Sequence, residues 1–290
     1  MLILSCSSKL QLLEGVLRRG LPETLMVHGG LMNINRGNPG GYEVLVDSWP
    51  DFKAVLLRPR KEVGPVRCSV GTGRCGTGKR FRGFLFSDLA SNQWHCTSLL
   101  PAGLQDGLYE ASRDVAKAKG VQGERTSTLS PAALSRPSCP VALVLSLCFP
   151  RLDPAMKLSS LTASHVDLLN VTWAKGGNER SRRYLASLIR SFPSTCVLDA
   201  TGCPISWNMT DQFGTMRHGY TLPEHRSHGY YSIVTIVTAK RLHAQGYPSF
   251  GHTSLDNYPM QRLQVNHGFR LLPSMSRFII HHPTPGTVPS

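Results

Sequence analysis

The stretch TLPEHRSHGYY, residues 221–231, marks the point where a predicted strand ends and a long predicted helix begins. Pro223 cannot continue the hydrogen-bond ladder of a strand, so the strand ends or bulges there and leaves backbone groups available to a ligand. The free N–H groups and the positive dipole end of the helix form a natural site for an anion. Gly229 lets the backbone approach that anion closely, and Arg226 adds positive charge three residues earlier.

The elements on either side of this junction alternate in a regular order. Before it, the sequence predicts two helices, in SSLTASHVDLLNVTWA and in NERSRRYLASLIRSF with Asn178 as the N-cap. A hairpin of TCVLD and PISWNMT and a strand over 215–222 follow. After the junction, the sequence predicts a helix closed by Gly246, a strand, a short helix and a closing pair of strands. This order predicts an α+β sheet domain.

The first part of the chain is predicted from shorter patterns. A helix over 7–19 is closed by Gly20, and three strands follow in TLMVHG, EVLVD and FKAVLLR. A helical pattern returns over 104–120, and residues 127–140 have the Ser/Pro composition of a linker. We therefore predict two domains, residues 1–152 and 153–288, with 61–140 an atypical and partly flexible part of the first.

The segment GTGRCGTGKR, residues 71–80, has the G-x-x-x-x-G-K spacing of a phosphate-binding loop. Such a loop needs a Ser or Thr after its lysine to hold Mg²⁺, but Arg80 follows Lys79 here. The flanking residues also lack the strand and the amphipathic helix that the motif requires. The segment therefore predicts a basic loop rather than a nucleotide site.

The bulk composition limits the classes of function. The 290 residues are 41% hydrophobic and carry a formal net charge of +14, which attracts polyanions. Nucleic-acid binding rests on that charge alone, because no basic surface interleaved with aromatic residues and no known reading module is found. The eight cysteines contain no C-x-x-C pair and His225 with His228 has no acidic partner cluster, so no metal site is predicted. The longest apolar run, 141–149, is far shorter than the ~20 residues of a membrane helix and is predicted to be a strand.

Three longer segments resemble the glycine N-acyltransferase family: INRGNPGGYEVLVDSWPDFKAV, GGNERSRRYLASLIRSFP and DQFGTMRHGYTLPEHRSHGY. The resemblance covers about residues 1–60 and 155–282, in the same order as in the family. It implies a GNAT-type acyltransferase fold, a mixed sheet flanked by helices, with an N-terminal α/β half. It also implies transfer of an acyl group from acyl-coenzyme A to the amino group of glycine or a related amino acid.

The resemblance also implies roles for individual residues. Glu224 corresponds to the family's general base, which accepts a proton from the incoming ammonium group. The strand over 215–222 is expected to supply backbone N–H groups to the thioester carbonyl. Asn257 matches an asparagine near the pantetheine arm, although a helix-capping or turn role explains it equally well. The residues expected to bind coenzyme A are Leu222, Arg226, His228, Gly229, Tyr230 and Asn257.

The sequence departs from the family in three places. Tyr231 stands where the fold usually has a small residue for the phosphate approach, and Tyr258–Pro259 is expected to disturb the helix start after Asn257. Residues 61–103 do not resemble the family, as a shifted reading frame or an altered exon would produce. A catalytically inactive relative that keeps the fold is therefore the alternative to an active enzyme. The resemblance further implies a mitochondrial location, with the cytoplasm as the alternative, and we expect a monomer.

Overall fold

The computed structural model describes residues 1–22, 24–60 and 152–272 with their side chains, and the backbone of the strands 83–88, 94–99, 122–134 and 276–282. The chain forms two compact units, of which the first comprises residues 1–130 with 273–290 and the second comprises residues 131–272. The predicted boundary between residues 152 and 153 stays a prediction.

Several predictions lie outside the described residues. They are the predicted basic loop at 71–80, the predicted helix at 104–120 and the predicted strand at 141–149. The predicted flexibility of 61–140 also lies outside them, except where residues 83–88, 94–99 and 122–134 are described as strands.

The elements follow one another along the chain in the order below. The α-helices are α1 (Ser7–Arg19), α2 (Leu25–Asn35), α3 (Val166–Thr172), α4 (Glu179–Ser191), α5 (Tyr230–Ala244) and α6 (Tyr258–Asn266). The strands are β1 (Leu2–Leu4), β2 (Tyr42–Val46), β3 (Ala54–Pro59), β4 (Gly83–Asp88), β5 (Trp94–Leu99), β6 (Gln122–Leu134), β7 (Lys157–Ser159), β8 (Ser194–Leu198), β9 (Pro204–Thr210), β10 (Met216–Thr221), β11 (Phe250–Ser254), β12 (Phe269–Leu271) and β13 (Ser276–His282). Two short 3₁₀ helices lie at Ala163–His165 and Pro223–His225.

The first unit is a mixed sheet with two helices. Its strands follow the order β1-β2-β3-β4-β5-β13-β6, with β3 and β4 parallel and β2 and β3 antiparallel. Helices α1 and α2 pack against each other, and Leu13, Leu17 and Leu31 are among their buried residues. The predicted helix over 7–19 and the strands in EVLVD and FKAVLLR are confirmed.

Two predictions for this part of the chain are wrong. TLMVHG is not a strand but the start of α2, whose residues from Leu25 to Met32 are all buried. A helix buried all round shows no apolar periodicity, so a short apolar run cannot be assigned from its pattern. The linker predicted over 127–140 is also wrong in its first half, because residues 122–134 form β6.

The second unit is a mixed sheet covered on both faces. Its strands run β11-β10-β9-β8-β7, antiparallel except for the parallel pair β10 and β11. Cys196 packs with the leucines of α3 and α4, whereas Val197 packs with Ile233 of α5. Successive residues of a strand point to opposite faces, so α3 and α4 cover one face of the sheet and α5 covers the other.

The helix boundaries in this unit follow from local chemistry. The Asn178 side chain accepts hydrogen bonds from the backbone N–H groups of Arg180 at 3.1 Å and Ser181 at 2.9 Å, which confirms it as the N-cap of α4. Helix α5 ends just before Gly246, whose φ of 76° lies in the left-handed region. The predicted hairpin, the strand before the junction and the strands at the end of the chain are confirmed.

Candidate active site

The centre of the site is an irregular strand at the point where two parallel strands separate. Strand β10 pairs with β11 only through Met216 and Gly251. Its register against β9 shifts between Arg217 and Tyr220, which is a β-bulge. Residue His218 within the bulge has a φ of 53°, a left-handed conformation that costs a non-glycine residue of order 1 kcal/mol. Beyond Met216, β10 therefore makes no further ladder pairs with β11.

A buried carboxylate fixes the hairpin that precedes the bulge. Asp211 is fully buried, and its Oδ1 atom accepts hydrogen bonds from the backbone N–H groups of Phe213 at 2.9 Å and Thr215 at 3.0 Å. Arg217 Nη1 lies 3.2 Å from Asp211 Oδ2. Burial raises the pKa of Asp211, and the Arg217 charge acts in the opposite direction. The carboxylate thus ties the turn between β9 and β10 to the first residues of the bulged strand.

The turn after β10 has the backbone of an anion-binding loop. The strand ends at Thr221, before Pro223 as the sequence predicts, and Pro223 starts a 3₁₀ turn. Ser227 and Gly229 both have positive φ, 66° and 77°, and Gly229 is the N-cap of α5. No side chain caps α5, so its first-turn N–H groups remain available to an anion within the described structure.

The charged and aromatic residues of the loop take defined positions. The Arg226 guanidinium lies over the Tyr220 ring, 5.5 Å from its centroid, and its Nε atom donates to the Thr221 carbonyl at 3.2 Å. His228 Nδ1 lies 2.7 Å from the Arg226 carbonyl, and its ring stacks on Tyr230 with 5.7 Å between centroids. Arg226 is thus folded back onto β10.

The proposed catalytic carboxylate lies beside this loop. Glu224 is in the exposed 3₁₀ turn Pro223–His225. The pKa of the nearby Cys203 thiol is raised, first by burial and then by the charges of Asp199 and Glu224. The structure thus places Glu224 between the end of the bulged strand and the N-terminus of α5, on the solvent side.

Leu222 and Tyr230 anchor the two ends of the turn. The Leu222 N–H group donates to the Ile205 carbonyl at 2.9 Å, and the Leu222 carbonyl accepts from the His225 N–H group at 3.0 Å. Tyr230 is 7% exposed and packs into the core with Ile205 and Ile233. Both residues therefore fix the backbone of the loop.

Asn257 lies on a separate element of the same unit. Its side chain accepts a hydrogen bond from the Met260 N–H group at 3.2 Å and caps α6. Pro259 falls in the first turn, where the missing N–H group costs nothing, so the expected disturbance of this helix is wrong. The capping role is thus observed, and a contact with the pantetheine arm stays a prediction.

Sequence reasoning missed the pair formed by Gly219 and Tyr231. An ideal Cβ built on Gly219 would lie 2.5 Å from Tyr231 Cε2 and 2.9 Å from Cζ. The Tyr231 phenol hydrogen-bonds with Thr235, and burial raises its pKa. The large side chain expected to crowd the phosphate approach is therefore directed towards the bulge, into space that exists because residue 219 has no side chain.

An aromatic cluster on the other face of β10 was also missed. The His218 ring makes edge contacts with Trp173 at 4.8 Å and with Tyr184 at 5.7 Å between centroids. Tyr220, two residues along the strand, packs on Trp207 at 5.5 Å. The alternation of His218 and Tyr220 in MRHGYT was the one available signal, because residues i and i+2 of a strand share a face.

The loop between α3 and α4 holds Trp173 in this cluster. Asn170 is 7% exposed, and its Oδ1 atom accepts from Ser181 Oγ at 2.6 Å and from the Gly177 N–H group at 3.1 Å. Its Nδ2 atom donates to the Asn178 carbonyl at 3.2 Å. One buried amide thus connects both ends of the loop that carries Trp173.

Two negative findings apply to the described residues alone. No group of three or more His, Cys, Asp or Glu side chains among them could hold a metal ion. None of the helices that the structure describes is long and apolar enough to cross a membrane.

Fold and site together define a class of protein. A mixed sheet flanked by helices carries a bulged strand that separates from its parallel neighbour and leads into an open helix N-terminus. This is the GNAT-type acyltransferase fold. A crystal structure of a Drosophila protein has the same fold, with a TM-score of 0.62 and 14% identity over 97% of both chains.

Sequence comparisons identify the family within that class. The family model described as aralkyl acyl-CoA:amino acid N-acyltransferase matches residues 1–66 and 88–193, and the model for its C-terminal region matches residues 195–278. Glycine N-phenylacetyltransferase of Bos taurus is 35% identical over 269 residues, which cover 89% of this chain and 91% of that protein. Glycine N-acyltransferase of Homo sapiens is 32% identical over 277 residues, which cover 91% and 93%. The chain belongs to the aralkyl acyl-CoA:amino acid N-acyltransferase family.

The family match also corrects the extent of the atypical segment. Residues 61–66 and 88–103 match the family, so the prediction that all of 61–103 departs from it is wrong at both ends. The unmatched stretch between the two matched ranges is 67–87, and it contains the basic segment 71–80.

Proposed function

We propose that this chain transfers an acyl group from acyl-coenzyme A to the amino group of glycine or a related amino acid. One observation carries the proposal: β10 separates from β11 after Met216 and leads through Gly229 into the open N-terminus of α5. The unpaired edge of β10 can bind the extended thioester arm of acyl-coenzyme A, and the N-terminus of α5 can bind its pyrophosphate. Relatives named for glycine acylation cover most of the chain, which supports the same reaction.

Glu224 is the proposed general base. An amino acid at neutral pH carries an ammonium group, which must lose a proton before its nitrogen can attack a carbonyl carbon. The Glu224 carboxylate accepts that proton, and the new C–N bond forms as the carbonyl oxygen gains negative charge. Backbone N–H groups along the free edge of β10 stabilise that oxygen. The C–S bond then breaks, and the second proton that the nitrogen loses passes to the leaving coenzyme A thiolate, while the proton held by Glu224 is released to solvent.

The remaining predicted residues divide into two sets. The N–H groups that follow Gly229 bind the pyrophosphate, and Arg226 supplies positive charge from its position over Tyr220. Leu222 and Tyr230 act through the backbone that they fix, and His228 lies on the exposed side of the loop. Asn257 is proposed to contact the pantetheine arm with the part of its amide that does not cap α6.

A second candidate is an inactive member of the family that keeps the fold and binds coenzyme A. The specific observation in its favour is the stretch 67–87, which the family model leaves unmatched. Such a protein would bind acyl-coenzyme A at the α5 N-terminus but release no thiol from it.

Thiol release from phenylacetyl-, benzoyl- and hexanoyl-coenzyme A, with and without glycine or glutamine, separates the two candidates. The proposal expects acceptor-dependent release that falls at least a hundredfold in Glu224→Gln, within the range that a positioned base contributes. The matched control is Glu179→Gln, since Glu179 is an exposed glutamate paired with Arg183 and distant in sequence from the loop. Release without an acceptor requirement contradicts amino-acid transfer. Release that Glu224→Gln leaves unchanged removes Glu224 from the mechanism.

Two further predictions accompany the function. The mitochondrial location follows from the family resemblance and is tested by fractionation of cells that express the chain. The monomeric state is tested by sedimentation of the purified protein.

A further inference from the structure

The face of β10 opposite α5 carries a partly exposed aromatic surface, which we call the aromatic wall. Its members are Trp173, Tyr184, His218 and Tyr220. His218 lies in the bulge, where β10 has just separated from β11. The wall therefore stands next to the strand edge that is proposed to receive the thioester carbonyl.

The His218 imidazole adds a polar group to the wall. His218 Nε2 is buried and has no hydrogen-bond partner among the residues that the structure describes. A buried polar atom without a partner lowers stability unless a water molecule or a ligand satisfies it. The left-handed backbone conformation of His218 also indicates a ligand site, because strained conformations concentrate at such sites.

The wall is suited to the acyl group rather than to the acceptor. Glycine has no side chain and gains nothing from an aromatic surface, whereas an acyl group with a ring gains both buried area and ring–ring contacts. This step rests on the proposed function, since it takes the transferred group and the acceptor from that reaction.

The charge state of His218 limits which chemical group on the acyl ring can bind to its imidazole. Burial, with a smaller contribution from the Arg217 charge, lowers the pKa of His218 to about 3. The charge that acts on it is that of Arg217, the preceding residue of β10, whose guanidinium is paired with Asp211. Tyr184, from α4, faces it with its phenol ring. The imidazole is therefore neutral at physiological pH and offers a dipole, which matches a hydroxyl group better than a carboxylate.

We propose that His218 is a specificity-determining residue, and that the aromatic wall selects acyl groups whose ring carries a hydroxyl that hydrogen-bonds to His218 Nε2. The substrate class is the coenzyme A thioesters of hydroxylated aromatic acids. The unsubstituted ring binds to the same wall but leaves the imidazole nitrogen without a partner. A site built for a hydroxyl group discriminates against the analogue that lacks it for this reason.

Direct binding of acyl-coenzyme A without an acceptor tests the proposal independently of catalysis. The probes are phenylacetyl- and (4-hydroxyphenyl)acetyl-coenzyme A, measured by calorimetry on the full chain. The wild type is expected to bind the hydroxylated thioester about five- to tenfold more tightly, as one additional buried hydrogen bond allows. His218→Phe, which keeps the ring and removes the nitrogen, is expected to reduce that ratio to about one. His243→Phe is the control, because His243 is exposed in the last turn of α5.

His218→Gln keeps a hydrogen-bonding group and is expected to retain part of the preference, which guards against a Phe variant that fails to fold. Equal affinity of the wild type for the two thioesters overturns the proposal, and so does a preference that survives in folded His218→Phe. A preference in binding without any acyl transfer supports the aromatic wall and contradicts the proposed function. Acyl transfer without a binding preference for the hydroxylated thioester supports the proposed function and contradicts the selective role of the aromatic wall.

Discussion

The Tyr231 ring fills the space that a side chain at residue 219 would need, since an ideal Cβ on Gly219 would lie 2.9 Å from Tyr231 Cζ. Tyr231 is in the first turn of the helix whose N-terminus forms the anion site, and Gly219 is in the bulge of β10. The contact couples the two halves of the site. A large residue near the anion loop is thus compatible with phosphate binding because its ring is directed to the bulge.

Gly219→Ala tests this contact through stability. We expect the free energy of unfolding to fall by ~2 kcal/mol, because the added methyl group meets the ring edge rather than a flexible chain end. Gly15→Ala is the control, since the nearest atom to its Cβ is 4.0 Å away and a helical alanine should stabilise by ~1 kcal/mol. In a Tyr231→Ala background the cost of Gly219→Ala should nearly vanish. Additive effects in that double-mutant cycle, measured by urea unfolding, would refute the coupling.

Gly229→Ala tests the anion loop. Gly229 has a φ of 77°, so alanine strains the backbone at the point where the N–H groups converge. We expect KM for acyl-coenzyme A to rise at least tenfold, with a smaller change in kcat, in steady-state kinetics. Gly37→Ala carries a similar strain, with a φ of 102° and open space around it, and should lower stability without altering KM. Equal effects on KM from the two substitutions would contradict the anion site.

The buried imidazole of His218 predicts a dependence of stability on pH. Its pKa is lowered to about 3 in the folded chain, whereas an unfolded histidine titrates near ~6.5. As the pH falls below the unfolded value, the unfolded chain binds a proton that the folded chain does not, so stability is lost between these two values. The loss is ~1.4 kcal/mol per pH unit from this residue, and His218→Phe should remove it. Unfolding measured between pH 5.5 and pH 4 tests this, and an unchanged slope in the variant would refute it.

Asn170→Ala tests the loop that positions Trp173. The substitution removes the acceptor of Ser181 and Gly177 and the donor to Asn178. We expect a loss of ~2 kcal/mol in the free energy of unfolding, since buried partners are left unsatisfied. Binding of phenylacetyl-coenzyme A should weaken more than binding of hexanoyl-coenzyme A, because only the first depends on the aromatic wall. Asn266→Ala, at an exposed position of α6, is the control for both measurements.

Most of the second unit could be predicted from the sequence because local signals and tertiary structure agree there. Asn178 as a cap, Pro223 after the strand and Gly246 after α5 all have one local interpretation. The helix α2 could not be predicted, because a helix that is buried on all sides resembles a strand in its apolar pattern.

In the candidate site, too, some features could be predicted from local sequence and others could not. The anion loop was visible as a motif within eleven consecutive residues. The contacts of Gly219 with Tyr231 and of His218 with Trp173 and Tyr184 join residues from different elements. Only the fold brings them together, and no spacing in the sequence encodes such a contact.

Identification of the reaction product distinguishes acyl transfer to glycine from hydrolysis of the thioester. The purified chain is incubated with phenylacetyl-coenzyme A and ¹⁵N-labelled glycine, and both products are quantified by mass spectrometry. Amino-acid acylation predicts ¹⁵N-labelled phenylacetylglycine and free coenzyme A in equal amounts, with both greatly reduced in Glu224→Gln. Free phenylacetic acid in place of the amide, or no product from a folded chain that binds the thioester, would rule out transfer to the amino acid.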